Sequence, residues 1–232
     1  MLTCWTGFSH GFALENEFTA LILKFALAAG ISLSEAQAGS CSRHIELMLQ
    51  WNRRLNLTRI TAREEIIVKH LLDSILPARV LPASGRALDV GTGAGFPGIP
   101  LKILNPGLDM VLLDASRKKT SFLTAASAAI GLQGMRAAHG RWEAFAQAGE
   151  NKASCQLITM RAVRLEKAHL QVLAREALAP GGVFAWWAGP EVNEQSGELT
   201  GAIFSDLEMQ GREYYTLPGI DRERSVWLWR RT

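Results

Sequence analysis

The residues whose types and spacing point to chemistry are concentrated in one stretch, Asp89-Val-Gly-Thr-Gly-Ala-Gly-Phe-Pro-Gly98. Gly91, Gly93 and Gly95 alternate directly behind a short apolar run, Ala87-Leu-Asp-Val90, that reads as a strand, and Pro97 to Leu104 opens a helix after them. Glycine in such a turn leaves the main chain bare, so a ligand can approach where a Cβ would collide with it. A turn shaped for a dinucleotide pyrophosphate reads G-x-G-x-x-G, and Phe96 stands where the last of those glycines would fall. An acid, Asp89, followed by G-x-G-x-G suits a ligand with no pyrophosphate, with a plain tight turn as the alternative.

Further residues surround this turn in the expected topology. Asp114 closes the next apolar run, Met110-Val-Leu-Leu113, and from the edge of the neighbouring strand its carboxylate can accept hydrogen bonds from both hydroxyls of a ribose; it can equally cap the helix that begins near Arg117. Gly140-Arg-Trp-Glu143 is positioned to wall an adenine, with Trp142 either stacking on the base or buried as a core tryptophan. Arg161 follows a fourth strand, where its planar fork can hold a phosphate, a base edge or a carboxylate, or simply join a surface ion pair. His70 and Asp73, three apart on a helix, read as a structural hydrogen-bonded pair rather than a catalytic dyad.

The elements that must position these residues fall into two parts. Residues 1–14 have no clear period and read as a loosely ordered lead-in, and residues 15–82 read as a helical extension. Its helices are expected over Glu15 to Ala29, over His44 to Leu57 behind a Ser34/Gln37 capping pair, and from Ala62 to about Leu76. Over residues 83–232 short apolar runs alternate with helix-length stretches, which predicts an α/β domain with a mostly parallel sheet and an antiparallel last strand. Strands are expected at the two runs already named and near Met135 to Ala138, Gln156 to Thr159, Val183 to Trp187, Arg212 to Leu217 and Ser225 to Trp229. Helices are expected over Lys118 to Ile130 and Glu166 to Leu178.

Composition limits the partners. The chain has 232 residues, 48% hydrophobic and 20% charged, enough for one substantial core. Its net charge of +3 names no partner, but the cations cluster. Arg53, Arg54, Arg59, Arg63 and Lys69 gather in the helical part, and Arg117, Lys118, Lys119, Arg136 and Arg141 occupy a stretch without acids. Two solvated helix faces or a phosphate-binding surface would produce this pattern. Cys4, Cys41 and Cys155 are odd in number and unpaired in spacing, so neither a disulfide framework nor a metal site is expected, and a cytoplasmic setting fits. The greasiest window, Phe18 to Ile31, is interrupted by Lys24 and is too short to span a bilayer.

With those residues in hand, the chain resembles the ribosomal small-subunit RNA methyltransferase G family, also called glucose-inhibited division protein B. The likeness is densest in Trp51-Asn-Arg-Arg-Leu-Asn-Leu-Thr58, Glu65 to Ser74, Leu88 to Pro100, Leu113-Asp114, Gly140 to Glu143 and Ile158 to Val163. The resemblance implies a Rossmann-like class I methyltransferase sheet with an N-terminal helical extension and S-adenosyl-L-methionine as cofactor. It also implies methyl transfer to N7 of a guanine in 16S ribosomal RNA, offered as free RNA or in a small-subunit assembly intermediate. Carried over residue by residue, the family's cofactor contacts fall on Gly91, Phe96, Trp142, Glu143 and Arg161, joining Asp89, Gly93, Gly95 and Asp114 from the turn. Substrate contacts are expected from Arg161, Arg53, Arg54, Lys69, His70 and Arg117, and the chain is expected to act as a monomer. Ala188 stands where the family carries a lysine, Met160 where it carries serine, and Lys69 where it carries arginine. A methyltransferase acting on another RNA or a small molecule, or a catalytically weakened RNA-binding relative, is the alternative. Guanine N7 is nucleophilic without losing a proton, so no general base is expected.

Overall fold

The computed structural model describes residues 8–163, 167–188 and 206–232, with side chains described from residues 17 and 168 onward in the first two stretches. Residues 1–7 of the expected lead-in, Glu166 at the start of an expected helix, and Gly189 lie outside the described residues.

Helix α1 (Phe8–Ala28) begins inside the expected lead-in, because Gly11 weakens a helix by only about 1 kcal/mol and does not stop one. Helix α2 (Glu35–Leu55) starts directly behind Ser34, whose side chain accepts from the Gln37 amide while the Gln37 side chain accepts from the Ser34 amide. The helix therefore runs from its cap rather than from His44. It ends at Asn56, which adopts the left-handed conformation at φ 50°. The third expected helix is broken into four pieces: α3 (Arg63–Ile66), a π-helical turn (Ile67–Leu72), α4 (Asp73–Ile75) and a 3-10 turn (Leu76–Val80). A π-turn re-aims side chains within a helix and is common at functional sites.

The strands are β1 (Ser84–Val90), β2 (Gly107–Asp114), β3 (Met135–His139), β4 (Cys155–Arg161), β5 (Leu178–Ala188), β6 (Leu207–Leu217) and β7 (Ile220–Arg231). They form one seven-stranded sheet in the order β3-β2-β1-β4-β5-β7-β6. Pairs from β3 to β5 are parallel, and β7 runs antiparallel between β5 and β6. Chain order reverses between β1 and β4, so a crevice opens beyond their carboxyl ends, the place where such sheets gather ligands. Helices α5 (Gly98–Leu104), α6 (Arg117–Ile130), α7 (Trp142–Gln147) and α8 (Lys167–Ala177) complete the domain.

Alternation along the strands divides the core into two. Ala87, Leu112, Leu157, Ala185 and Trp187 pack with α1, α2, the π-turn, α5 and α6, whereas Leu88, Val90, Ile158, Phe184, Trp227 and Trp229 pack with α7 and α8. The helical extension thus shares a core with one face of the sheet. No helix among the described residues is long and apolar enough to cross a membrane.

Candidate functional site: a glycine turn at the crossover of the sheet

The turn is tied at both ends by its own backbone. The Gly91 and Thr92 amides donate to the Leu113 carbonyl at 2.9 and 3.2 Å, and the Gly95 and Phe96 amides donate to Thr92 at 2.9 and 3.1 Å. Gly91, Gly93 and Gly95 all take positive φ, 67°, 60° and 87°, which L side chains rarely adopt. Their surroundings differ. A Cβ on Gly91 would fall 2.4 Å from Val163 Cγ2, and one on Gly95 would fall 2.4 Å from Ile99 Cδ1 and 3.1 Å from His44 Nε2. A Cβ on Gly93 would meet only the Gly91 carbonyl, at 3.8 Å. Gly91 and Gly95 are therefore glycine to fit their own chain, and only Gly93 presents a bare face to open space.

Of the two acids, Asp89 lies underneath the turn. It is fully buried, its Oδ2 accepts from the Gly98 amide and its Oδ1 accepts from the Thr159 hydroxyl, both at 2.9 Å. Burial raises its pKa to about 6, with these hydrogen bonds pulling the other way. Expected among the cofactor contacts, it instead anchors the start of α5. Asp114 reaches the turn itself: its Oδ2 accepts from the Gly93 amide at 3.0 Å and its Oδ1 from the Ser116 amide at 2.8 Å. Ser116, not Asp114, caps α6.

Beyond β3 the Gly140 amide donates to the Asp114 carbonyl at 3.1 Å, which brings α7 next to Asp114. Trp142 is buried in the core of the α7/α8 face, its ring 5.6 Å from His169, as the core alternative has it. Glu143 places Oε1 3.6 Å from Arg141 Nη2, and its Oε2 is buried with no hydrogen-bond partner among the described residues. An orphaned acceptor in a crevice is the group a ligand's N–H would satisfy.

On the other flank the ionisable side chains are paired. His70 and Asp73 do not pair, because the π-turn sends them to different neighbours. His70 Nε2 lies 3.0 Å from the Thr58 hydroxyl, while Asp73 Oδ2 accepts from Arg161 at 2.9 Å and its Oδ1 accepts from the Tyr215 hydroxyl at 2.9 Å. Trp187 Nε1 donates to the Asp73 carbonyl at 2.8 Å. Arg161 is thus neither in a surface ion pair nor unpaired: its side chain is 15% exposed and its Cζ lies 5.5 Å from the centre of the Phe96 ring. Phe96 is also flanked by His70, with ring centres 5.1 Å apart, and by His44, at 4.7 Å. Burial pushes both imidazoles down to about 4, and the Arg161 charge adds to this at His70. Lys69 is paired with Glu65.

The Trp51 to Thr58 motif supports this flank. The Asn52 side chain brackets Thr58 by donating to its carbonyl at 3.0 Å and accepting from its amide at 2.9 Å, which presents the Thr58 hydroxyl to His70. Sequence reasoning missed Asn52, Thr58, His44, Trp187 and Tyr215. The motif stretch holding Asn52 and Thr58 carried a signal, whereas the other three are joined to the site only by long-range contacts.

Four of the predicted cations come from helix ends that pack side by side. Trp51 meets Phe122 edge-on at 5.9 Å, and Arg43 near the other end of α2 donates to Ala129 at 3.5 Å, so α2 and α6 run antiparallel. Exposed Arg53 and Arg54 at the end of α2 therefore lie by exposed Arg117 and Lys118 at the start of α6, close to Asp114. Among the described residues no cluster of His, Cys, Asp or Glu could hold a metal ion.

Comparison with known proteins decides the family. Residues 37–213 match the model of rRNA small subunit methyltransferase G, or GidB. The chain belongs to this family. It is 48% identical over 206 residues to ribosomal RNA small subunit methyltransferase G 1 of Syntrophobacter fumaroxidans, covering 87% of this chain and 91% of that one. It is 35% identical over 208 residues to ribosomal RNA small subunit methyltransferase G of an Exiguobacterium species, covering 86% and 84%. In fold it is similar to a methyltransferase of known structure from Geobacter sulfurreducens, with a TM-score of 0.52 and 13% identity over 81% of this chain and 87% of that one. The expected methyltransferase family and Rossmann-like fold are borne out.

Proposed function

We propose that this chain methylates N7 of a guanine in 16S ribosomal RNA, using S-adenosyl-L-methionine held on the glycine turn. One observation carries the reading: Gly93 alone of the turn's glycines faces open space, with the carboxylate that holds its amide, Asp114, beside it. The orphaned Glu143 Oε2 supports the fit, since an adenosyl ligand brings N–H donors that a buried carboxylate can satisfy. Gly93, Asp114 and Glu143 would hold the cofactor, with Gly91 and Gly95 shaping the turn and Asp89 and Phe96 fixing it from behind. Trp142 would shape the pocket from the core, and Arg161, clamped by Asp73, would stand at the carboxyl edge of β4. When bound, the cofactor supplies an electrophilic sulfonium methyl.

The chain's own task is placement. Guanine N7 lies on the major-groove edge, outside Watson–Crick pairing, and attacks as a lone pair, so no side chain has to remove a proton. His70 suits this division of labour, being engaged by Thr58 rather than left as a base. Orientation of this kind supplies roughly 7–11 kcal/mol of barrier reduction. Arg53, Arg54, Arg117 and Lys118 form a cationic ridge near the mouth that would follow the RNA backbone, with Lys69 and His70 contributing to the shape of the same flank. The acceptor would be free 16S RNA or a small-subunit assembly intermediate, met by a cytoplasmic monomer.

Methyl transfer from labelled cofactor to 16S RNA, small subunits and assembly intermediates, offered side by side, tests the proposal. Label is expected in N7-methylguanine. Label at any other position, or in none of the three acceptors, would overturn it.

A further inference from the structure

We propose that His44 is a positioning residue for the cofactor turn: its imidazole, delivered by α2, donates Nε2–H to the Ala94 carbonyl and holds the backbone in the shape that leaves Gly93 open. The inference rests on the reading that this turn holds the adenosyl cofactor.

The geometry is specific. His44 is 1% exposed, and its Nε2 lies 2.8 Å from the Ala94 carbonyl oxygen. A carbonyl only accepts, so Nε2 carries the hydrogen and the ring is fixed in one tautomer. Ala94 lies between Gly93, which faces the open space, and Gly95, where an added Cβ would fall 3.1 Å from the same nitrogen. The ring has little room to turn, since Phe96 packs against it at 4.7 Å and Phe122 stacks beyond at 6.2 Å. The remaining bonds of the turn come from the sheet side or from the turn itself: Leu113 receives the amides of Gly91 and Thr92, Thr92 those of Gly95 and Phe96, and Asp114 that of Gly93. His44 is the bond that reaches the turn from the helical extension.

Helix α2 is itself fixed at a second point on the same segment. Gln37, one turn into the helix, directs its Nε2 to the Ile103 and Leu104 carbonyls at 3.4 Å, at the far end of α5. One helix therefore grips both the turn, at Ala94, and the end of the helix that the turn opens. A strut between two fixed bodies transmits shape, so losing the donor releases the turn while the surrounding core stays packed. In this way the helical extension becomes part of the cofactor site without touching the cofactor.

The test separates donor from ring. His44→Phe keeps the packing against Phe96 and Phe122 and removes the donor, whereas His44→Gln removes the ring and places an amide N–H near the position of Nε2. S-adenosylhomocysteine binding by calorimetry and amide hydrogen exchange across Gly93 to Phe96 are the main readouts. Melting temperature checks that each variant folds. His44→Phe is expected to weaken binding about five- to tenfold, to raise the cofactor KM while kcat changes less than about twofold, and to speed exchange in the turn. His44→Gln is expected to restore binding to within about threefold of the parent. Should His44→Phe not fold, His44→Met is the donor-free variant. Unchanged binding and exchange in a folded donor-free variant would overturn the proposal, and so would His44→Gln falling as far as His44→Phe. A parent chain that takes up no S-adenosylhomocysteine, yet loses turn protection in His44→Phe, would overturn the cofactor reading and leave the strut intact.

Discussion

The two flanks of the glycine turn are built on opposite principles. On the side of the helical extension the ring and ionisable side chains nearest the turn are paired: His44 with Ala94, His70 with Thr58, and Asp73 with Arg161, Tyr215 and Trp187. On the side of β2, β3 and α7 the face of Gly93 is bare and Glu143 keeps an unpartnered oxygen. Saturated groups hold shape, and unsaturated ones wait for a ligand. The extension thus backs the turn, and on the proposed reading the cofactor lies against the opposite flank. Substitutions on the backing should therefore show first as lost stability, and those on the open flank as lost affinity in a folded protein.

The largest effect is expected at Asp73. Asp73→Ala strands the largely buried Arg161 guanidinium and leaves the Tyr215 hydroxyl without its carboxylate, a loss of about 3–5 kcal/mol in denaturant unfolding. A variant that unfolds at the parent's midpoint would show that the Asp73 pairings do not hold this flank together. Next comes Gly93→Leu. Its backbone strain at φ 60° costs about 1–2 kcal/mol and its Cβ meets only the Gly91 carbonyl, at 3.8 Å, so the protein should fold and yet lose S-adenosylhomocysteine binding at least a hundredfold, about 2.7 kcal/mol. Retained affinity would move the ligand away from the bare face. Gly95→Leu serves as the contrast, because its side chain collides with Ile99 and His44 and should lower the melting temperature as well.

How much of this was legible in the sequence follows from how local each cause is. The strands of the sheet all fall at the stretches expected for them, since short apolar runs between helix-length stretches are written in adjacent positions; their ends run longer where pairing continues, as at Leu178 and Leu207. Asp114 was legible as the acid ending β2 beside the turn, and the structure brings it to the Gly93 amide. Asp89, expected as a contact, lies under the turn instead of lining it, since a sequence motif does not say which way an acid faces. Its alternation with Leu88 and Val90, which point to α7 and α8, was the available signal that it turns toward α5. The π-turn was not legible, since Ile67-Val-Lys-His-Leu-Leu suits an ordinary helix and only tertiary partners select the wider turn. His44 was equally hidden, because its partner is fifty residues away in sequence.

The backing also predicts a response to acid. His44 and His70 are held at about 4, below the ordinary 6.5 of an imidazole, so the unfolded chain takes up two protons that the folded chain resists. Stability from these groups is fully present above pH 6.5 and is lost as pH falls from there toward 4. Asp89, raised to about 6 from 3.8, works the other way, since the folded chain binds its proton first and recovers stability below pH 6. Two histidines against one aspartate leave a net loss equivalent to roughly one histidine, on the order of 3 kcal/mol between pH 6.5 and 4. Denaturant midpoints across that range measure it, and His70→Gln should flatten the slope. A pH-independent midpoint would mean that the imidazoles are not kept neutral by the backing.

The smallest effect per residue is expected on the cationic ridge, which joins the backing, through α2, to the rim beside Asp114. Arg53 and Arg54 come from the end of α2, Arg117 and Lys118 from the start of α6, and the antiparallel packing of those helices brings the two pairs to the rim near Asp114. If both pairs contact one RNA backbone, removing either pair should lower the salt slope of binding by about 1.4, at about 0.7 per phosphate contact on a single strand. Affinity at moderate salt should fall only severalfold, and S-adenosylhomocysteine binding should not change, because none of the four contributes to the turn. A slope lowered by only one of the two double-alanine variants would confine the RNA to one helix. A slope lowered by neither would leave the ridge a solvated surface and return RNA recognition to the crevice itself.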